Sequence, residues 1–192
     1  MKGLVLFAAF AAFALPARAA NYTIDPDHSS VSFRIRHLVG HVTGQFDKFQ
    51  GTFSYEKGNP KVWKASATID AASIDTKVSQ RDNHLRSEDF FNVKEYPALT
   101  FVSTKVAEAK GEHAKLIGKL TILETTKNVV LDLEIGGVEK GTDGREHAAF
   151  TAKTRINRKD FGLTWNDTVE SGGVLVGDDV DITIEIEGVR EK

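Results

Sequence analysis

The sequence predicts an all-β fold, an eight-stranded antiparallel barrel with a short helical insertion near its mouth. Three observations lead to this prediction. Apolar and polar residues alternate along most of the chain, turn-forming residues separate the alternating runs, and only two stretches break the pattern. Alternation with a period of two gives each strand one apolar and one polar face, so the apolar faces must enclose a common core.

Eight runs carry the strand signal, as in Val31-x-Phe33-x-Ile35. The predicted strands lie around residues 31–35, 49–55, 63–71, 99–106, 116–123, 129–135, 148–152 and 180–186. Turns are predicted at Gly58-Asn59-Pro60, Gly136-Gly137 and Gly172-Gly173. A sandwich and a barrel both satisfy this pattern. We favour the barrel because closure removes exposed strand edges, and because the cysteines that commonly brace an immunoglobulin-type sandwich are missing.

Two stretches break the alternation. Residues 79–86 open with Ser79-x-x-Asp82, which resembles a capping box and predicts a short helix. Asn157 can cap one helical turn that ends at Gly162.

The first 19 residues have the composition of a secretory signal peptide. Lys2 supplies a positive charge, residues 4–15 are apolar but too few to span a bilayer, and Ala17 and Ala19 are small. We expect cleavage after Ala19, export to the periplasm, and a single mature domain over residues 20–192.

Composition excludes several function classes. The chain has 192 residues and a formal net charge of −2, without runs of like charge, which disfavours nucleic acid as a partner. It has no cysteine, which excludes disulfide scaffolds, thiol catalysis and cysteine-ligated metals. No cofactor is expected, and no later stretch is apolar for long enough to span a membrane.

No specific catalytic or metal motif is present. His37 and His41 have a helical metal-ligand spacing, but they follow a strand and no third ligand is fixed, so we predict no metal site. Asp178-Asp179 occupies a turn position, where solvated carboxylates are common.

A charged cluster on the predicted helix has two readings. Arg81, Asp82, His84 and Arg86 form either a salt-bridged surface helix or a mouth that holds a polar or anionic headgroup. Trp165, after the second break, belongs either to the core or to the rim.

Seven short motifs then occur in a familiar order. They are Tyr22-Thr23-Ile24-Asp25-Pro26-Asp27-His28-Ser29-Ser30-Val31-x-Phe33, Gly44-x-Phe46-x-x-Phe49-x-Gly51, Ile69-Asp70-Ala71-Ala72-Ser73-Ile74-Asp75-Thr76, Arg81-Asp82-x-His84-Leu85-x-Ser87-x-Asp89-Phe90-Phe91, Tyr96-Pro97, Gly118-x-Leu120-Thr121-Ile122 and Asn157-Arg158-x-Asp160-Phe161-Gly162-Leu163. Together they resemble the YceI-like family, also called polyisoprenoid-binding proteins, over nearly the whole mature chain.

The resemblance implies an exported, lipocalin-like barrel that encloses a long isoprenoid or similar amphiphile, with no established catalytic activity. The expected lining is Val31, Phe33, Ile35, Phe49, Phe53, Ile69, Phe101, Leu120, Ile122, Leu131, Leu133, Phe150, Ile182 and Ile184. The candidates for the mouth and headgroup are His37, Arg81, Asp82, His84, Arg86, Asn157, Arg158 and Trp165.

The chain departs from the family pattern between two strands. Glu124 stands where the family usually has glycine, and Asn128 stands where it usually has proline. We therefore expect a different turn at that end of the barrel, with the fold unchanged.

Two other functions stay open from the sequence. An exported enzyme acting on a lipid or small metabolite would need a reactive group inside the barrel, with His37, His84 and Asp82 as candidates. A structural or adaptor barrel would have its core filled by side chains. The oligomeric state is also open, with a homodimer as one expectation.

Overall fold

The computed structural model describes residues 19–168 and 173–192. The predicted signal peptide, apart from Ala19, and Gly172 of one predicted turn lie outside the described residues. The strands are β1 (Ala20–Ile24), β2 (Ser30–His37), β3 (Gly40–Phe46), β4 (Phe49–Tyr55), β5 (Lys64–Asp70), β6 (Ile74–Asp75), β7 (Ala98–Lys110), β8 (His113–Ile122), β9 (Thr125–Lys140), β10 (Glu146–Asn157) and β11 (Val176–Arg190). The described residues contain one α-helix, α1 (Ser79–Arg86).

Eight strands close into an antiparallel barrel, as the alternation predicted. Their order is β1, β4, β5, β7, β8, β9, β10 and β11, and β11 pairs back with β1 through a short ladder in which Ile24 opposes Gly188. The rest of that edge of β11 pairs with β2. Strands β1 and β2 therefore act as one strand, interrupted by the 3-10 turn Pro26–His28, and β3 and β6 extend the sheet beyond β2.

The eight predicted strands correspond to β2, β4, β5 and β7–β11, so β1, β3 and β6 were missed. In β3, Gly40 and Gly44 occupy positions where an apolar side chain would complete the alternation. Strand β6 has only two residues, which is too short for a periodic signal.

The turn predicted at Gly136-Gly137 is wrong, because both glycines lie inside β9. Ile135 opposes Phe150 and Gly137 opposes Ala149, which leaves Gly136 without an opposite residue. This arrangement is a β-bulge. Gly137 has a φ of 120°, a backbone conformation that glycine adopts without a steric penalty.

The departure from the family pattern lies at the turn between β8 and β9. The turn has two residues, Leu123 and Glu124, and the ladder resumes at once with Ile122 opposite Thr125. Leu123 takes the left-handed backbone conformation, with a φ of 53°. Asn128 lies within the ladder, opposite Lys119.

Helix α1 has the predicted bounds, but the predicted capping box is wrong. Val78 occupies the N-cap position, and no side chain caps the helix there. The buried Asp82 carboxylate instead accepts hydrogen bonds from the backbone N–H of Thr76 at 2.8 Å and from its hydroxyl at 2.5 Å. Arg81 donates to the same hydroxyl and to the Thr76 carbonyl. Thr76 therefore attaches the helix to the end of β6.

The second break is confirmed as one helical turn. Residues Arg158–Phe161 form a 3-10 helix, Asn157 caps it by accepting a hydrogen bond from the Lys159 N–H, and Gly162 ends it with a φ of 87°. In the part of the chain that the structure describes, no helix has the length and hydropathy needed to cross a bilayer.

The Thr76 hydroxyl can be tested by the substitution Thr76→Val. The buried Asp82 carboxylate would lose a donor and Arg81 an acceptor, so we expect the free energy of unfolding to fall by about 1–3 kcal/mol. Urea denaturation measures this change. Thr43→Val, on the exposed face of β3, is the matched control. Equal effects at the two positions would contradict the assigned role of Thr76.

Candidate functional site

The barrel encloses a cavity of about 660 Å³, within the range typical of small-molecule sites. Aromatic side chains close one end, where the Tyr55 ring centre lies 4.9 Å from that of Trp63 and 5.1 Å from that of Phe150. At the opposite end, exposed residues such as Val78 and Gln80 border the cavity, so it reaches solvent there. We call this end the mouth, and it is formed by His37, Val78, Gln80, Arg81, His84, Trp165 and Leu175.

All fourteen residues expected to line the interior border this cavity. Nine of them are only half-buried although they point inward: Phe33, Ile35, Phe49, Ile69, Phe101, Leu133, Phe150, Ile182 and Ile184. In a filled core such side chains would be buried by one another. Their partial exposure therefore reflects open space inside the barrel. That a ligand contacts them stays a prediction.

Three phenylalanine rings lie against glycines of other strands, which keeps these rings close to the wall. The pairs are Phe33 with Gly44, Phe101 with Gly118, and Phe53 with Gly188. A Cβ atom at any of these glycines would overlap the ring beside it. The missing side chains thus let large apolar groups lie along the wall and leave the space in front of them open.

The lining also includes residues that the sequence reasoning missed. Ile24 of β1 and Val42 and Phe46 of β3 border the cavity, as do the aromatic residues Tyr55 and Trp63 at the closed end. A signal existed for β1, where Tyr22 and Ile24 alternate with polar neighbours. The five-residue run was too short to stand out.

An aromatic contact attaches α1 to the segment that follows β10. The His84 ring is nearly perpendicular to the Phe90 and Trp165 rings, with centroid distances of 5.1 and 4.8 Å. Its Nε2 lies 2.9 Å from Oδ2 of Asp89. Because His84 and Trp165 both border the cavity, this contact forms one side of the mouth.

Arg158 is a buried cation at the cavity wall, with 3% of its surface exposed. Its Nη1 donates to the carbonyls of Leu163 and Trp165, and its Nε donates to the carbonyl of Gly177. Its Nη2 lies 3.6 Å from Oδ1 of Asp178. Burial lowers the pKa of Arg158, and the nearby Asp178 opposes that effect. These contacts hold the segment after β10 against the start of β11.

Three of the eight mouth candidates do not border the cavity. Asp82 is buried against Thr76 as described above, and Asn157 caps the 3-10 turn. Arg86 donates to the backbone carbonyls of Ala72 and Ile74 at 2.7 and 2.6 Å. Their positions follow from these structural hydrogen bonds, which the sequence does not reveal.

Of the three residues named for the enzyme alternative, His37 and His84 border the cavity at its mouth and Asp82 does not. The adaptor alternative requires an interior filled by side chains, and the open cavity contradicts it.

One cluster outside the cavity has the residue types of a metal site. Asp25, His28 and Glu187 bring ligand atoms within 4.8 Å of one another on the outer surface. All three residues already form side-chain hydrogen bonds. His28 bonds to Asp25, and Glu187 bonds to His147 of β10. The hydrogen bond to Asp25 raises the pKa of His28. Hydrogen bonds to Glu187 and, to a smaller extent, to Asp143 raise the pKa of His147. The backbone N–H of Asp25 also donates to the carbonyl of Glu187 at 2.9 Å, which attaches the turn after β1 to β11.

Comparison with known proteins agrees with this architecture. A UPF0312 protein of Photorhabdus laumondii is 40% identical over 179 residues, which cover 92% of this chain and 90% of the relative. A mutant of the Campylobacter jejuni YCEI protein is 36% identical, with a TM-score of 0.72 over 82% of this chain and 90% of that one.

A more distant structure shares the fold. It is a polyisoprenoid binding domain from Saccharophagus degradans implicated in plant cell wall breakdown, 14% identical with a TM-score of 0.67, over 91% of this chain and all of that one. The family model described as a YceI-like domain matches residues 22–188. The closed barrel, its open interior and these matches agree, and the chain belongs to the YceI-like family.

Proposed function

We propose that this protein is an exported lipid-binding protein that encloses a long isoprenoid chain, or a similar amphiphile, for transport, storage or sequestration. The observation that carries the proposal is the open cavity of about 660 Å³, whose wall is built mainly from aliphatic and aromatic side chains. The polyisoprenoid-binding domain that shares the fold supports the same ligand class.

The size of the cavity agrees with a lipid tail. A methylene group occupies about the same volume as a water molecule, ~30 Å³, so the cavity has room for on the order of 20 such groups. Burying them would contribute ~16 kcal/mol at ~0.8 kcal/mol each, before the cost of ordering the chain. That gross value is close to the limit of non-covalent affinity. A tail of this length therefore binds without a strong polar site.

We propose that the polar headgroup lies at the mouth and the tail extends towards the aromatic end. Five of the mouth candidates border the cavity: His37, Arg81, His84, Arg158 and Trp165. They account for most of the side chains around the cavity that carry an N–H donor. The closed end offers the ligand chiefly aromatic rings.

Export remains part of the proposal and depends on the predicted signal peptide. A periplasmic barrel would give an isoprenoid tail an apolar environment in the aqueous space between two membranes.

The ligand proposal can be tested with variants of Phe150. Phe150→Asp puts a charge into the apolar wall, so we expect geranylgeraniol binding to become undetectable, because burying an unpaired carboxylate is costly. Phe150→Ala removes contacts with the ligand but leaves the wall apolar, so binding should weaken only modestly. The measurement is the rise in melting temperature when geranylgeraniol is added. If the unsubstituted protein showed no rise, the proposed function would be wrong.

The contact between Gly44 and the Phe33 ring leads to a second prediction. In Gly44→Ala the new methyl group would overlap both the Phe33 ring and the Thr76 methyl group. Displacement of the ring towards the lumen should lower the affinity for geranylgeraniol several-fold, while the shorter farnesol is less affected. Adding Phe33→Leu removes the overlap with the ring but not the one with Thr76, so it should restore most of the affinity for the longer alcohol. The control is Gly40→Ala in the same strand, where a Cβ meets no heavy atom closer than 3.9 Å. Equal losses for Gly40→Ala and Gly44→Ala would contradict this role of the pairs.

A further inference from the structure

Exposed apolar side chains are concentrated around the mouth. In the part of the chain that the structure describes, six large hydrophobic side chains are exposed, and four of them lie at this end. Val39 is fully exposed at the tip of the β2–β3 hairpin, and Leu38 beside it is 40% exposed. Val78, just before α1, is 45% exposed, and Val174 is 56% exposed. We call these four residues the apolar rim.

The rim residues belong to three neighbouring segments. The backbone N–H of Leu38 donates to the carbonyl of Leu175 at 2.9 Å, which holds Val174 close to the hairpin tip. On the other side of β3, Thr76 packs against Gly44, and Val78 follows two residues later. Val78 and Leu175 also border the cavity, so the rim surrounds its opening rather than a separate part of the surface.

Basic side chains flank the hairpin tip. Arg34 and Arg36 of β2 and His41 of β3 are exposed, and Arg36 stands opposite His41. The Arg36 Nε donates to the carbonyl of Leu38, which holds its guanidinium group at the tip. Among the described residues, no carboxylate lies within salt-bridge distance of either arginine.

Two of the nearby carboxylates have cations of their own. Asp181, which opposes Arg34 across the sheet, forms a salt bridge with Arg155, and Asp75 forms one with Lys77. Asp178 and Asp179 lie in the part of β11 that bulges beside Arg36, and Asp178 pairs with Lys159. Arg34 and Arg36 thus remain cations without a salt-bridge partner among the described residues, although the whole chain has a formal net charge of −2.

We propose that the apolar rim docks on the surface of an anionic lipid bilayer, with the mouth facing the membrane. A small apolar tip bordered by arginines fits the bilayer interface, where apolar side chains enter the headgroup region and cations lie near anionic lipids. The proposal rests on the proposed function, because it gives a bound lipid a direct path between membrane and cavity. It adds a partner surface around the opening of the ligand site.

The test is co-sedimentation with vesicles of phosphatidylcholine, either alone or mixed with phosphatidylglycerol. We expect binding to the mixed vesicles and several-fold weaker binding to phosphatidylcholine alone, and added salt should reduce the difference. Leu38→Ser combined with Val39→Ser should weaken binding to the mixed vesicles by on the order of tenfold, because the tip no longer buries two large apolar side chains.

The matched control is Val102→Ser combined with Val130→Ser. These two valines are also exposed, but they lie on the outer wall of the barrel in β7 and β9. Serine adds no charge, so it does not itself repel the anionic vesicles. The control should bind them as the unsubstituted protein does. Equal binding by the rim variant and the control, or no binding by the unsubstituted protein, would overturn the proposal.

Two further measurements separate this proposal from its alternatives. The melting-temperature rise with geranylgeraniol should be the same in the rim variant and in the control, because neither changes the expected lining. Loss of vesicle binding with this rise intact supports docking, whereas absence of the rise in every variant refutes the proposed function instead. Sedimentation velocity should show one oligomeric state for all variants, and a rim variant that dissociates a dimer would mean that a second copy covers the rim.

Discussion

The contact between inward-facing phenylalanine rings and glycines of other strands determines how much of the barrel is open. A barrel of eight strands is small enough for its own side chains to fill it. Here Phe33, Phe53 and Phe101 lie over Gly44, Gly188 and Gly118, and the rings follow the wall. With larger residues at these positions the same rings would project into the lumen. The open cavity therefore depends on positions that carry no side chain.

The cavity has a consequence for stability. Apolar side chains that face open space make fewer contacts than those in a close-packed core. The chain has no cysteine, so no disulfide compensates for the missing contacts. A ligand that fills the cavity would supply them and would stabilise the folded state by mass action. Stability and ligand binding should therefore be coupled in this protein.

Much of the wall was predictable from the sequence, because burial on one face of a strand imposes a period of two on the residues. The alternation located the strands that contribute all fourteen expected lining residues, and the break at residues 79–86 located α1. The mouth was less predictable. Asp82 and Arg86 have the composition of a charged entrance, but Asp82 bonds to Thr76 and Arg86 bonds to backbone carbonyls. Such contacts depend on tertiary packing, which leaves no periodic pattern in the sequence.

Native mass spectrometry of the protein purified from its own cells tests the central claim most directly. We expect a complex of one chain with one lipid whose apolar part has on the order of 20 carbon atoms or more, released when the protein unfolds. The mass of the chain should correspond to a start at Ala20, which would support export at the same time. A chain that carries no lipid, and that fails to take up geranylgeraniol when this alcohol is added, would contradict the account.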